Sequence, residues 1–130
     1  MKTSGTPVLA SVSLTNGAPG PTAFALQQVA TGNAYTLATN EVFVVTNITM
    51  SSNDTAQPLV TVDDGVTGAP YTSRILGKYY VGASLPATTE AMALGVLPCR
   101  RGVVPRATAS AVTAAKTVEI TLRGYITTSS

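Results

Sequence analysis

Histidine and tryptophan are absent from this 130-residue chain, and cysteine occurs once. Without an imidazole there is no histidine base, no histidine-containing triad and no histidine metal ligand. The lone thiol, Cys99, excludes an intrachain disulfide framework and a multi-cysteine zinc site. Charge is scarce too: Asp, Glu, Lys and Arg make up 11% of the residues, under half of the ~25% usual for a soluble domain. A net charge of +2 is too small for a protein whose main partner is a phosphate backbone, so nucleic acid is not an expected partner. No apolar run approaches the roughly 18 residues of a membrane span, and residues 1–5 lack the apolar core of a signal peptide, so no membrane partner is expected either. The sequons at Asn47 and Asn53 read accordingly as chance in a chain with 21 threonines.

What fills the chain is Thr, Ser, Ala and Val, 64 residues together. Surface scaling allows about two thirds of the extended-chain surface to be buried at this size, enough for one domain with a real core. The patterning is period two, broken by Gly, Pro, Asn and Asp every eight to twelve residues. Over 41–50, Val42, Val44, Thr46, Ile48 and Met50 are expected on one face and Phe43, Val45, Asn47 and Thr49 on the other. Both sets are fairly apolar, as in a central strand covered on both sides. Over 116–126, Val118, Ile120, Leu122, Gly124 and Ile126 alternate with Thr117, Glu119, Thr121, Arg123 and Tyr125, a half-buried strand.

Shorter strands are expected over 8–14, 23–29, 59–63, 71–76, 78–81, 91–97 and 102–111. Pro105 demotes the last of these to an edge or a bulge. The stretch 24–29 also suits one helical turn, and the Ala-rich 107–116 a short helix, against which its β-branched residues weigh. Seven to nine short strands without crossover helices point to an all-β fold, an antiparallel β-sandwich that is jelly-roll-like, with an immunoglobulin-like sandwich as the alternative.

Before Tyr35 the chain is rich in Gly and Pro, with Lys2 as its one charged residue. Residues 1–34 are therefore expected to form an extended N-terminal arm, and 35–130 the sandwich domain. Val8, Val12 and Leu14 alternate within that arm and are its candidate partner-binding residues, pairing as a strand with a neighbouring subunit.

Residues able to do chemistry are few. Asp63-Asp64-Gly65 is the best candidate for an acid or cation site, but neighbouring strand residues point to opposite faces, and turn chemistry with positive φ at the glycine explains the triplet. Cys99 precedes Arg100 and Arg101, which could activate a thiol, yet no histidine base is there to serve it. Catalytic residues, cofactors and metals are accordingly not expected, and the chain does not read as an enzyme. Arg100, Arg101 and Arg106 are candidate partner-binding residues for an acidic protein surface, the alternative being solubilising loop charges. Tyr71, Tyr79 and Tyr80 could stack on sugars, although core or interface packing is the commoner use. With a mean hydropathy of +0.27 and so little charge, the chain reads as a piece of an assembly, covered by copies of itself or by partners.

The stretch Tyr35-Thr36-Leu37-Ala38-Thr39-Asn40-Glu41-Val42-Phe43-Val44-Val45-Thr46-Asn47-Ile48 resembles the opening of small jelly-roll virion proteins of tailed bacteriophages, and Val118-Glu119-Ile120-Thr121-Leu122-Arg123-Gly124-Tyr125 is similar to their closing strand. The resemblance covers about residues 35–126 and is carried by strand patterns. It implies a capsid decoration (cement) protein or head-fibre component, typically a homotrimer, bound to the major capsid protein or another virion protein. The location it implies is the capsid surface, after synthesis in the host cytoplasm. The alternative function is a carbohydrate- or receptor-binding module of a virion fibre or spike.

Overall fold

The alternating β-branched segments fold as eleven strands in a computed structural model that describes residues 5–67, 73–85, 88–91 and 97–128. These are β1 (Thr6–Thr15), β2 (Thr22–Ala23), β3 (Ala25–Gln28), β4 (Ala34–Tyr35), β5 (Glu41–Ser52), β6 (Leu59–Asp63), β7 (Ile75–Tyr80), β8 (Thr88–Ala91), β9 (Leu97–Pro98), β10 (Arg106–Ala109) and β11 (Thr117–Thr128). The large sheet runs β4-β3-β1-β11-β5-β8, with β9 also paired to β5; the small sheet runs β2-β10-β6-β7. All pairings are antiparallel, and the two sheets pack face to face as a β-sandwich. No helix occurs among the described residues.

One core joins the two inner faces. The large sheet contributes Leu14, Phe43, Ile48, Ile120 and Leu122, and the small sheet Val60 and Val62, all at most 1% exposed. Burying a side chain of this size stabilises by roughly 1.5–3 kcal/mol against leaving it in water. The chain passes between the sheets at Phe24, which is buried between β2 and β3 and donates its backbone N–H to the Pro105 carbonyl. The expected strand over 23–29 is thus two short strands in different sheets, and the helical turn considered there does not form.

A β-bulge corrects the face assignment in β5. Arg123 of β11 faces Asn47 while Gly124 faces Val45, so Thr46 is an extra residue without a cross-strand partner. Its hydroxyl bonds the Arg123 carbonyl, meeting an acceptor where the ladder is interrupted. The extra residue reverses the alternation. Ile48 and Met50 face the core after it, but Phe43 and Val45 do so before it, and Val42 and Val44 turn to the outer side against Tyr125. Strict period two had placed Val42 and Val44 with Ile48 and Met50. Strand β11 keeps one parity throughout, with Val118, Ile120, Leu122 and Ile126 all in the core.

The N-terminal segment also differs from expectation. Residues 6–35 are not an arm outside the sandwich; they supply β1 to β4. Strand β1 lies between β3 and β11 and pairs with β11 over ten residues, Thr6 opposite Ile126 to Thr15 opposite Thr117. The boundary expected at 34/35 falls inside β4. The alternation of Val8, Ala10 and Leu14 is explained by burial under the chain's own small sheet, and the Gly/Pro-rich 16–21 is a turn closed by Thr15 and Ala18, which bond each other in both directions. Pro105 likewise falls just before β10, so this strand is interior to the small sheet, between β2 and β6. The short helix considered over 107–116 is replaced by β10 and a loop with Ala115 at φ 64°. The two strands expected on either side of Gly77 are one, β7, running through it; Tyr71 lies outside the described residues.

Close approach of β5 and β11 at the bulge leaves no room for a side chain at Gly124. A Cβ there would overlap the Val44 carbonyl oxygen and come within 2.8 Å of the Phe43 ring. Gly124→Ala should lower unfolding stability by about 3 kcal/mol or more, whereas Gly17→Ala, in a turn with open space around it, should stay within ~0.5 kcal/mol. Urea unfolding of the two variants beside the parent checks both values; equal effects would mean that the bulge tolerates the methyl by shifting.

Candidate functional site

The six expected partner-binding residues separate into two groups. Val8 and Leu14 are buried in the chain's own core and offer no surface to a partner, and Val12 is half-buried against the same core. The other three stay together. Arg100 and Arg101 are exposed on the loop between β9 and β10, and Arg106 opens β10. This loop packs at one end of the sandwich: the Gly102 N–H donates to the Glu41 carbonyl, and the Cys99 N–H to the Phe43 carbonyl.

Two aspartates organise that end. The Asp63 carboxylate accepts the Gly65 N–H at 2.8 Å, closing the turn that places Gly65 at φ 77°, as Asp-Gly chemistry predicts. It also accepts the Arg106 Nε–H at 2.9 and 3.2 Å. Asp64 is completely buried and gathers the Val66 N–H, the Arg74 N–H and the Arg74 Nε–H at 3.1–3.2 Å. Each carboxylate therefore holds its own arginine, and the two do not converge on a common cation. Burial pushes the Asp64 carboxyl up, but the Val66 amide and the Arg74 side chain and amide outweigh it, leaving it below the usual carboxylate range.

Arg74 was not among the expected residues. A strand starting at 71 would have made it one member of an alternating series. Strand β7 starts instead at Ile75, and Arg74 folds back on Asp64. The nearest signal in the sequence is the Asp63-Asp64 pair itself, since two acids at a strand end each require a partner once buried.

Other acids are also engaged. At the opposite end, the fully buried Asp54 accepts N–H bonds from Ala56 and Thr113 and the Thr113 hydroxyl, each at 2.8 Å. The Thr113 amide first, then the Ala56 amide, hold its carboxyl below the ordinary value against the effect of burial. Glu41 accepts from the Tyr35 hydroxyl and the Ala38 N–H, and Glu119 from the Ser13 hydroxyl. Burial, followed by the bond to Glu41, raises the Tyr35 phenol to about 12. Among the described residues no group of three or more Cys, Asp or Glu is arranged to hold a metal ion. Cys99 is buried, and burial first, then the Asp64 carboxylate, push its thiol up to about 12. The neighbouring arginines do not activate it.

The sheet faces are of a different kind. Outward from the large sheet the cross-strand rows read Ala25-Ser11-Thr121-Thr49 and Ser13-Glu119-Ser51. Short hydroxyl and methyl groups dominate, with Glu119 and Arg123 as the charged members on β11. Of the tyrosines, Tyr35 and Tyr79 pack half-buried against the core, while Tyr80 is 63% exposed on β7. No protein-family model matches this chain, and no curated protein matches it in sequence.

Two outcomes follow from the buried groups. The depressed carboxyls of Asp54 and Asp64 give stability that is complete above the unfolded value of about 3.9 and is lost as pH falls below it through the folded values. Asp54→Asn turns one acceptor into a donor facing an N–H, so its urea midpoint should lie below the parent's at pH 7 and converge with it in acid. A gap that persists unchanged into acid would show that the carboxylate charge is not what clamps the loops. Cys99, with a thiolate fraction of only about 10⁻⁴ at pH 8, should resist a thiol reagent until urea unfolds the chain. Rapid labelling of the folded protein would contradict its burial.

Proposed function

We propose that this chain is a non-enzymatic virion structural protein of jelly-roll type, a capsid decoration protein whose copies assemble with one another, as a trimer, on the head of a tailed phage. The observation that carries this reading is the outer face of the large sheet. Strands β1, β11 and β5 present Ser11, Ser13, Thr121, Thr49 and Ser51 there, a surface of short side chains with little charge. Such side chains lose little rotamer freedom on burial, so a flat face of them packs against protein at low entropic cost. The trimer and the capsid location rest on the resemblance of 35–48 and 118–125 to virion proteins. The engagement of Asp54, Asp63, Asp64 and Glu41 in bonds that hold loops and turns, and of Glu119 in a cross-strand bond to Ser13, supports a role without catalysis. A sugar-binding reading has Tyr80 in its favour, but Tyr79 packs half-buried against the core, and Tyr71 lies outside the described residues.

Light scattering after size exclusion tests the assembly. A mass of about three protomers, ~40 kDa, is the expected result. Thr121→Lys, in the middle of the outer face, should return the protein to its 13.2 kDa protomer while leaving the thermal midpoint in place. A parent protein that is monomeric at high concentration would overturn the reading.

A further inference from the structure

We propose that the arginine-bearing end of the sandwich docks onto a carboxylate-rich surface of a different protein. The inference rests on the structural-protein reading above only for the kind of partner, a protein surface; its geometry stands separately. Four of the chain's five arginines, Arg74, Arg100, Arg101 and Arg106, lie at this end, on the segments that lead into β7 and β10. Two of them are held from behind. The Asp64 side chain is fully buried while that of Arg74 is 54% exposed, and the Asp63 side chain is 11% exposed against 27% for Arg106. In each pair the carboxylate lies inside and grips Nε, so the guanidinium is oriented before any partner arrives and presents its charge outward. The exposed Arg100 and Arg101 extend the same end.

Ile75 gives this end an apolar anchor. It is 59% exposed and stands in one cross-strand row with Asp63 and Arg106, next in sequence to Arg74. An exposed aliphatic side chain with Arg74 beside it in sequence and Arg106 in its cross-strand row is a composition that suits a protein interface.

Charge decides what the partner is. Of the six acids, Asp54, Asp63 and Asp64 are buried, Glu41 is bonded to Tyr35 and Ala38, Glu119 lies on a sheet face bonded to Ser13, and Glu90 stands apart from these on β8. A second copy of this chain therefore has no cluster of described surface carboxylates to set against four arginines, and the complementary surface belongs to another protein. Asp63 and Asp64 beneath the patch offset the charges of Arg106 and Arg74, which leaves too little net charge for a phosphate backbone, whereas Arg forks pair well with individual carboxylates.

The experiment uses the full chain and fluorescein-labelled poly-L-glutamate, with a short DNA duplex as the second probe, by fluorescence anisotropy at low and physiological salt. Arg101→Glu should weaken poly-L-glutamate binding about tenfold or more, while Arg123→Glu, the same change of net charge on a sheet face, should stay within about twofold. Arg101→Gln, which removes charge without reversing it, should show a smaller loss of about threefold and keeps the test open if the reversal unfolds the protein. Equal losses from Arg101→Glu and Arg123→Glu would reduce the effect to net charge and overturn the proposal. Tighter binding of the duplex than of poly-L-glutamate would overturn it in favour of a phosphate site. Light scattering on the same samples reads assembly independently: a monomeric parent with the arginine effect intact would count against the assembly reading alone, and an oligomer lost only in Arg101→Glu would overturn docking on a different protein.

Discussion

Strand β11 is bonded along its length to β1 on one side and to β5 on the other, and the sandwich is arranged around that three-strand ladder. Val118, Ile120, Leu122 and Ile126 keep one parity over the strand, so it is the reference against which the other strands are set. Strand β1 follows it without interruption. Strand β5 matches it only by inserting Thr46 as a bulge, and the bulge lets β5 be apolar on both sides, with Phe43 and Val45 inward and Val42 and Val44 outward beside Tyr125. Gly124 is the counterpart of that insertion, since the two backbones meet most closely where the register shifts.

With so few charges, their placement is nearly a list of the structural decisions the molecule makes. Asp54 closes one end of the sandwich by tying the loop after β5 to the loop before β11. Asp63 and Asp64 close the other by turning the chain after β6 and holding Arg106 and Arg74. Buried carboxylates are tolerable here because N–H donors or a guanidinium meet them at each site, and removing one partner would strand a charge in the interior. The outer face of the large sheet is left mostly to hydroxyls and methyls, with Glu119 and Arg123 as the charged members on β11. Ends that carry charge and faces that carry little divide the surface into two chemistries, which is why assembly and heterologous docking are assigned to different parts of it.

The fold class was legible in the sequence because period-two alternation and spaced turn residues are local signals, and β1, β6 and β11 lie close to where the pattern puts them. What escaped was non-local. A single inserted residue in β5 is invisible until its partner is known, and it inverted the placement of Val42 and Val44. Gly and Pro before Tyr35 read as an arm because composition does not reveal that Val8 and Leu14 pair with positions more than a hundred residues away, in β11. Of the candidate site, the 100–106 arginines were visible as a local cluster. Arg74 was not, since only the folded loop brings it to Asp64.

The position of β1 also changes how the proposed self-association has to be tested. Cutting away the first twenty residues would be a sound way to remove a peripheral arm, but here it would take β1 from between β3 and β11. The inner faces of Ile120 and Leu122 would lose the neighbours Val12 and Ala10 that stand opposite them, and β3 and β4 would lose their attachment to the sheet. An oligomer lost in such a truncation would report unfolding. Pairing of β1 with β11 also means that the central ladder closes only once residues more than a hundred positions apart meet, a topology that folds slowly. Surface side chains on the completed ladder are therefore the informative positions, because they can change what the protein binds without changing whether β11 has both of its neighbours.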